Sequence, residues 1–336
     1  MKDSIGVLGA GTWGMALARL LCVYGHDVEV WSALPDEIEQ LSATRRQVNL
    51  PGMRIPDEIR FTCSIEEVCS GKDILLFAVP SVYVRATARA AAPYVKEGQV
   101  IVDVAKGIEP ESLMTMTEVI LSETGQGAMA AALSGPTHAE EVAKDLPTTI
   151  VAAHKDIEIA RRVQTVFSNP VLRVYTNTDI KGVELCGALK NIMALASGIA
   201  AGLGYGDNTK AAIITRGLAE IQRLGLKLGC QQETFAGLAG MGDLIVTATS
   251  LHSRNNRCGY LIGQGHSPEE AVREVGMVVE GINAIPAALE LAQRYQVEMP
   301  IAMAVDGIIN HGRDPRDAVR ELMGRDSKTE YPGMHG

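Results

Sequence analysis

Residues 4–22, SIGVLGAGTWGMALARLLC, decide the fold. Ser4 to Leu8 is a short apolar run that suits a buried strand. It leads straight into Gly9-Ala10-Gly11-Thr12-Trp13-Gly14, and from Met15 to Cys22 the chain has helical periodicity. A GxGxxG between a strand and a helix is what a dinucleotide pyrophosphate needs. The first glycine permits the tight turn, the second lets the backbone approach the anion, and the third lets helix and strand pack closely. The phosphates then meet the positive end of the helix. Alone, those six residues would read equally well as a glycine-rich turn in an unrelated α/β protein. Asp27 to Trp31 reads as the next strand and completes a βαβ unit, which favours dinucleotide binding.

The ribose side of that site is less usual. An NAD site commonly has an acid at the end of the second strand, and here Trp31 and Ser32 stand there instead. Arg45 and Arg46, after a helical stretch, either supply charge to a 2′-phosphate or simply end a solvated helix. NAD and NADP therefore both remain open as cofactor.

Further apolar runs follow at Asp73–Val79, Val100–Val104, Ala130–Ser134, Thr148–Ala153 and Val171–Tyr175. Helical stretches near 82–91, 113–122, 139–144 and 157–167 separate them. The runs are continuously apolar rather than alternating, so both faces of each strand are covered. The fold class expected is α/β, with a Rossmann-type, doubly wound, mostly parallel sheet. Ligands of such sheets bind beyond the carboxyl ends of the strands. Pro80-Ser81, Lys106 and Gly135-Pro136-Thr137 all fall there.

After Thr178 the strand signal stops. Helices are expected at 180–201, 209–228, 254–262, 268–275, 284–295, 301–309 and 315–323. Ser267-Pro268-Glu269-Glu270 has the form of a capping box with proline at the first helical position, and Asp314-Pro315 repeats the cap and proline. Two domains are therefore expected, a dinucleotide-binding one over 1–179 and an all-α one over 180–336.

Composition limits what such a chain does. With 336 residues it can bury a real core. A net charge of −9 and 4% aromatic residues leave little for nucleic-acid binding or base stacking. The six cysteines show no CxxC spacing, and no histidine pairs with them at metal-ligand spacing, so reduced cytosolic thiols and no metal site are expected. The N-terminus, MKDSIGVLGAG, has too short an apolar run for a signal peptide.

Two stretches of the second half carry chemistry. The first is GVELCGALKNIMALASGIAAGLGYG at 182–206, long and apolar yet interrupted by Lys190 and Asn191. Its length would span a bilayer, but Glu184, Lys190 and Asn191 make that costly, so a buried soluble helix and no stable membrane insertion are expected. A lysine there snorkels, finds a carboxylate, or loses its proton easily. The last alternative is the one a proton-transfer catalyst needs. The second stretch is Gly240-Met-Gly-Asp243-Leu, followed by Ser253-Arg254-Asn255-Asn256-Arg257. Ser253 suits a helix cap, where an anion would meet free N–H groups, a dipole end and a guanidinium. Asp243 either holds the Lys190 ammonium or caps a helix.

GAGTWG at 9–14, FAVPS at 77–81, KGIE at 106–109, SGPTHAEEVA at 134–143, the stretch 182–212, GLAGMGDLIVTATSLHSRNNRCG at 237–259 and VVEGI at 278–282 together resemble the NAD(P)-dependent glycerol-3-phosphate dehydrogenases. The resemblance keeps the family's motif order to about residue 310. It implies interconversion of dihydroxyacetone phosphate and sn-glycerol 3-phosphate by hydride transfer, supplying a phospholipid precursor in the cytoplasm. Homodimers are common in that family.

Residue by residue, the resemblance implies Lys190 as general acid/base, Lys106 at the substrate oxygens and the cofactor end, and Asp243 beside them. Gly135, Thr137, Asp243, Ser253, Arg254 and Asn255 match substrate positions. Thr12, Trp13, Ala139, Arg254, Val279 and Glu280 match cofactor positions, to which Gly9, Gly11, Gly14, Ser32 and Pro80 are added from the strand-end reading. Many relatives have an arginine where this chain has Ser32-Ala33-Leu34, which leaves NADP preference unsupported. TATS at 247–250 stands where relatives often have a cysteine, a difference not expected to affect the chemistry. Two other readings compete: a dehydrogenase of small 2- or 3-hydroxy acids, and a non-catalytic dinucleotide sensor.

Overall fold

The computed structural model describes residues 2–330 apart from 126, 251 and 328. Eight strands form one sheet: β1 (Ser4–Leu8), β2 (Asp27–Trp31), β3 (Arg60–Thr62), β4 (Ile74–Phe77), β5 (Val100–Asp103), β6 (Met129–Ser134), β7 (Thr148–Ala153) and β8 (Leu172–Asn177). Their order is β3-β2-β1-β4-β5-β6-β7-β8. Every neighbouring pair is parallel except β6 and β7. The exception has a simple cause. Only the four-residue helix α6 (Ala139–Val142) lies between them, roughly 6 Å of helix and too little to carry the chain back along the sheet.

Helices α1 (Thr12–Val23), α2 (Pro35–Thr44), α3 (Ile65–Cys69), α4 (Val84–Ala91), α5 (Met116–Thr124) and α7 (Ile157–Phe167) make the other crossovers. The central strands are buried past their first residues, Ile5, Val7, Leu75, Leu76, Ile101 and Val102 among them. This is why their sequences are apolar throughout rather than alternating. One face packs on α1 through Met15 and Leu17, the other on α4 and α5 through Ala88 and Val119.

The second part is helical: α8 (Ile180–Gly202), α9 (Asp207–Lys227), α10 (Gln232–Ala236), α11 (Asp243–Thr249), α12 (Arg254–Gly263), α13 (Pro268–Val275), α14 (Glu280–Arg294), α15 (Pro300–His311) and α16 (Pro315–Met323). Helix α8 is its axis, with α9, α11, α12, α14 and α15 packed around it. It is the one described helix long and apolar enough to cross a membrane, and 83% of its apolar window is buried inside the protein. The expected capping box at Ser267 forms with Glu270, and Asp314 caps α16. We propose the division at 179/180. Asp179 ends the sheet region and caps α8 through Gly182 N, while its other oxygen accepts from Gln231 N and Thr234 Oγ1. Residues 331–336 of the proposed helical domain lie outside the described residues.

Helices α8 and α12 touch backbone to backbone. A Cβ on Gly198 would lie 2.0 Å from the Asn256 carbonyl oxygen, and one on Gly259 would lie 2.2 Å from that of Leu195. Only glycine allows this approach, because the obstructing atoms are backbone and cannot rotate away. Since α8 carries Lys190 and α12 carries Arg254, the same contact sets the spacing of both cationic groups. Gly259→Ala is expected to lower stability by about 1–3 kcal/mol and to lower kcat/KM as well. Chemical denaturation beside steady-state kinetics checks both effects.

Candidate active site

The site is organised by one carboxylate. A turn of π-helix, Leu238–Gly242, delivers Asp243 to the start of α11, 1% exposed. Its Oδ1 accepts from Lys190 Nζ at 2.6 Å and its Oδ2 from Lys106 Nζ at 2.6 Å. Of the two alternatives for Asp243, holding an ammonium is the one realised, and it holds two. Lys190 does not snorkel: it is 5% exposed in the middle of α8. Its second bond goes to Thr247 Oγ1 at 2.5 Å, and Thr247 in turn donates to the Asp243 carbonyl at 2.7 Å. An ammonium has three donors, so one N–H of Lys190 is left to meet a substrate oxygen.

Burial lowers the Lys190 pKa to about 7, with Asp243 opposing the shift and Lys106 adding to it. For Asp243 burial pushes upward, but the two lysines outweigh it and hold the carboxyl below its ordinary value. The trio thus sets one buried anion between two lysines, of which Lys190 exchanges its proton near neutrality.

Lys106 follows β5 and also donates to the Gly135 carbonyl at 3.0 Å, just past β6. Thr137 Oγ1 donates to the same carbonyl at 3.2 Å. These residues meet because their strands are parallel neighbours with carboxyl ends on one edge. Asn191 donates to the Lys106 carbonyl at 3.4 Å and accepts from Asn255 Nδ2 at 3.0 Å, while Asn255 Oδ1 accepts from Gly281 N at 2.8 Å. A chain of amides therefore runs from the lysines to the starts of α12 and α14.

Ser253 caps α12 by accepting from Asn256 N at 3.2 Å. Arg254, half-buried at the first helical position, makes no hydrogen bond or ion pair among the described residues. A guanidinium beside free helix N–H groups is a receptor for a doubly charged oxyanion.

The dinucleotide side lies at the ends of β1 and β4. Gly9 has φ +125°, and a Cβ there would lie 2.7 Å from the Ala78 carbonyl group. Gly14 is equally closed, with a Cβ only 2.1 Å from the Gly9 carbonyl oxygen. Gly11 faces open space, with nothing within 4 Å of an added Cβ. A pyrophosphate fits that cradle, which packs closely on two sides and is bare on the third. Thr12 and Trp13 form the first turn of α1, and Ala139 the first position of α6, in contact with α1. Pro80 precedes a short 3-10 turn whose Ser81 donates from N at 3.0 Å and from Oγ at 2.5 Å to the Glu280 carboxylate. Val279 is the buried residue before α14. Ser32 stands apart from the lysines, at the end of β2, and donates to Glu37 Oε2 at 2.6 Å. Arg45, a candidate for a 2′-phosphate, is committed elsewhere: its guanidinium donates to the Ile59 carbonyl at 2.7 Å and lies 5.1 Å over the Phe61 ring.

Residues 4–160 match the family described as NAD-dependent glycerol-3-phosphate dehydrogenase N-terminus, and residues 179–320 match its C-terminus. The chain belongs to the NAD-dependent glycerol-3-phosphate dehydrogenase family. It is 66% identical to glycerol-3-phosphate dehydrogenase [NAD(P)+] 2 of Lactobacillus delbrueckii subsp. bulgaricus, over 97% of this chain and 98% of that one. It is 52% identical to glycerol-3-phosphate dehydrogenase [NAD(P)+] of Agathobacter rectalis, over 98% of both. Its fold superposes on the crystal structure of glycerol-3-phosphate dehydrogenase from Coxiella burnetii with a TM-score of 0.93 at 37% identity, covering 96% and 99% of the two chains.

Two side chains, Thr247 beside Lys190 and Glu37 beside Ser32, escaped the sequence reading. Thr247 is four residues after Asp243 on one helix face, so its approach to the same lysine was available from helical spacing. Glu37 was missed because the acid was sought at the strand end rather than in the helix that follows.

Proposed function

We propose that this chain reduces dihydroxyacetone phosphate to sn-glycerol 3-phosphate, reversibly, with Lys190 as the proton donor. The observation that carries the reading is a lysine buried in an apolar helix, tuned to about 7 and hydrogen-bonded to a buried carboxylate. A nicotinamide dinucleotide, NAD or NADP, supplies the hydride chemistry at the C2 carbonyl. Lys190 Nζ gives its proton to the oxygen that becomes the hydroxyl, and Lys106 adds positive charge where that oxygen turns anionic. Asp243 fixes both ammonium groups and gives the site a counter-charge. Gly135 and Thr137 line the substrate side, and Ser253, Arg254 and Asn255 receive the phosphate. Thr12, Trp13, Pro80, Ala139, Val279 and Glu280 border the cofactor in this reading. The acid-substrate alternative has no comparable support, since the close relatives carry the glycerol-3-phosphate dehydrogenase name. The product feeds phospholipid synthesis. A cytoplasmic homodimer is part of the same proposal, and light scattering at the mass of two chains would support the assembly.

The phosphate assignment has its own test. Arg254→Ala removes an unpartnered guanidinium, so KM for dihydroxyacetone phosphate should rise about 10- to 100-fold, the scale of one or two charge-assisted hydrogen bonds. Unchanged KM for both substrate and cofactor would reject the anion pocket.

The lowered Lys190 pKa gives a signed pH profile. Below about 7 the amine is protonated and ready to donate, so the reduction rate should fall as pH rises through that value. Oxidation of glycerol 3-phosphate needs the neutral amine and should rise over the same interval. Lys190→Arg, whose guanidinium stays charged, should be slow and lack that limb; a limb that persists in the variant would assign it to another group.

A further inference from the structure

We propose that Glu37 selects the cofactor, making this enzyme one that prefers NADH, the dinucleotide without a 2′-phosphate. The inference rests on the dehydrogenase reading above and concerns the opposite end of the cofactor from the chemistry. The end of β2 is held against the glycine loop, because Gly9 N donates to the Trp31 carbonyl at 3.0 Å. Ser32 follows immediately, buried, and donates to Glu37 Oε2 at 2.6 Å. Leu34 N donates back to Ser32 Oγ at 3.2 Å, so the hydroxyl holds both the carboxylate and the turn into α2. A second tie, from Gln47 Nε2 to the Ala10 carbonyl at 3.2 Å, fixes the segment after α2 to the same loop.

The carboxylate thus reaches, from the helix, the place where an acid on the second strand usually accepts from ribose hydroxyls. One Glu37 oxygen is engaged by Ser32, and the other makes no hydrogen bond among the described residues; nor does the side chain make an ion pair. A 2′-phosphate there would meet negative charge from Asp36 and Glu37 together. Three arginines of the region are held or placed elsewhere. Arg45 is held over the Phe61 ring and to the Ile59 carbonyl. Arg46 lies beyond the far end of a ten-residue helix, about 15 Å from its first turn. Arg60, on the neighbouring strand, is paired with Asp27 at the opposite end of β2. The next strand adds charge of the same sign: Thr62 donates to Glu67 at 2.5 Å just past β3. The bland alternative is that Glu37 serves only the start of α2.

The test is a fluorescence titration of the full-length protein with NADH and with NADPH, without substrate, followed by kcat/KM for each cofactor with dihydroxyacetone phosphate. NADH should bind at least about 10-fold tighter, the scale of a single uncompensated charge at short range. Glu37→Gln should shrink that ratio by about 10-fold, and Ala33→Arg, at an exposed position, should raise NADPH affinity without touching the packing of α2. Equal or tighter binding of NADPH by the unaltered protein would overturn the proposal. So would a Glu37→Gln variant that melts earlier but keeps the ratio, which is the outcome for a mere helix cap. The two readings fail separately. Preference for NADH without substrate turnover would sink the dehydrogenase reading alone, whereas rapid turnover with either cofactor alike would sink this one alone.

Discussion

Lys190→Ala should bind NADH and NADPH as the unaltered enzyme does and lose roughly 10²–10⁴-fold in kcat, the range of a positioned proton transfer. An ammonium that is 5% exposed on the axis helix has given up most of its hydration, and that burial, opposed by Asp243 and aided by Lys106, leaves its pKa at about 7. Helix propensity does not call for a lysine there, since a leucine would cost α8 nothing on that count. What the lysine contributes is a proton that moves at neutral pH, with one N–H pointing away from Asp243 and Thr247. The glycine loop and the Glu280–Ser81 contact are untouched by the change, which is why cofactor affinity should hold. Turnover within twofold of the unaltered enzyme would contradict the assignment.

Asp243→Asn should be the most damaging single change, because it removes the one counter-charge that, among the described residues, is bonded to two lysines. Breaking a buried ion pair by deleting one partner costs about 3–5 kcal/mol, so the melting temperature should drop by several degrees. The amine follows in a calculable direction. Without Asp243, which raises the Lys190 pKa against burial, that pKa must fall below about 7. Lys190 is then neutral at physiological pH and cannot donate. Reduction should collapse at neutral pH and recover in part as the pH is lowered, a shift that a merely misfolded variant would not show. The pH profile of the variant, measured beside its melting curve, separates the two. A limb still near 7 would mean that Asp243 does not tune the lysine.

Much of this site was legible because lysine and asparagine inside an apolar helix are anomalies that burial must explain. The glycine loop was equally plain, since the flanking strand and helix patterns are strong. The Lys106–Asp243 contact was not, because the two are 137 residues apart and meet only through strand order and the packing of α11 beside α8. Asp243 was therefore left between two roles. The elements that escaped, β3, α3, α10 and α11, are three to seven residues long, too short for any period to show. Helix α11 is further disguised by the π-turn that precedes it, in a stretch of glycines at 237, 240 and 242. The Ser32–Glu37 pair shows a different limit. The chemistry expected at a strand end was supplied from the next element, and only the turn through Leu34 reveals that the two positions meet.

The most direct test of the central claim is NADH oxidation by the purified chain with dihydroxyacetone phosphate, run beside dihydroxyacetone and beside Lys190→Ala. The account predicts rapid oxidation that requires the substrate's phosphate and disappears with the lysine. Equal rates with dihydroxyacetone, or no oxidation by a folded protein that binds the cofactor, would contradict it.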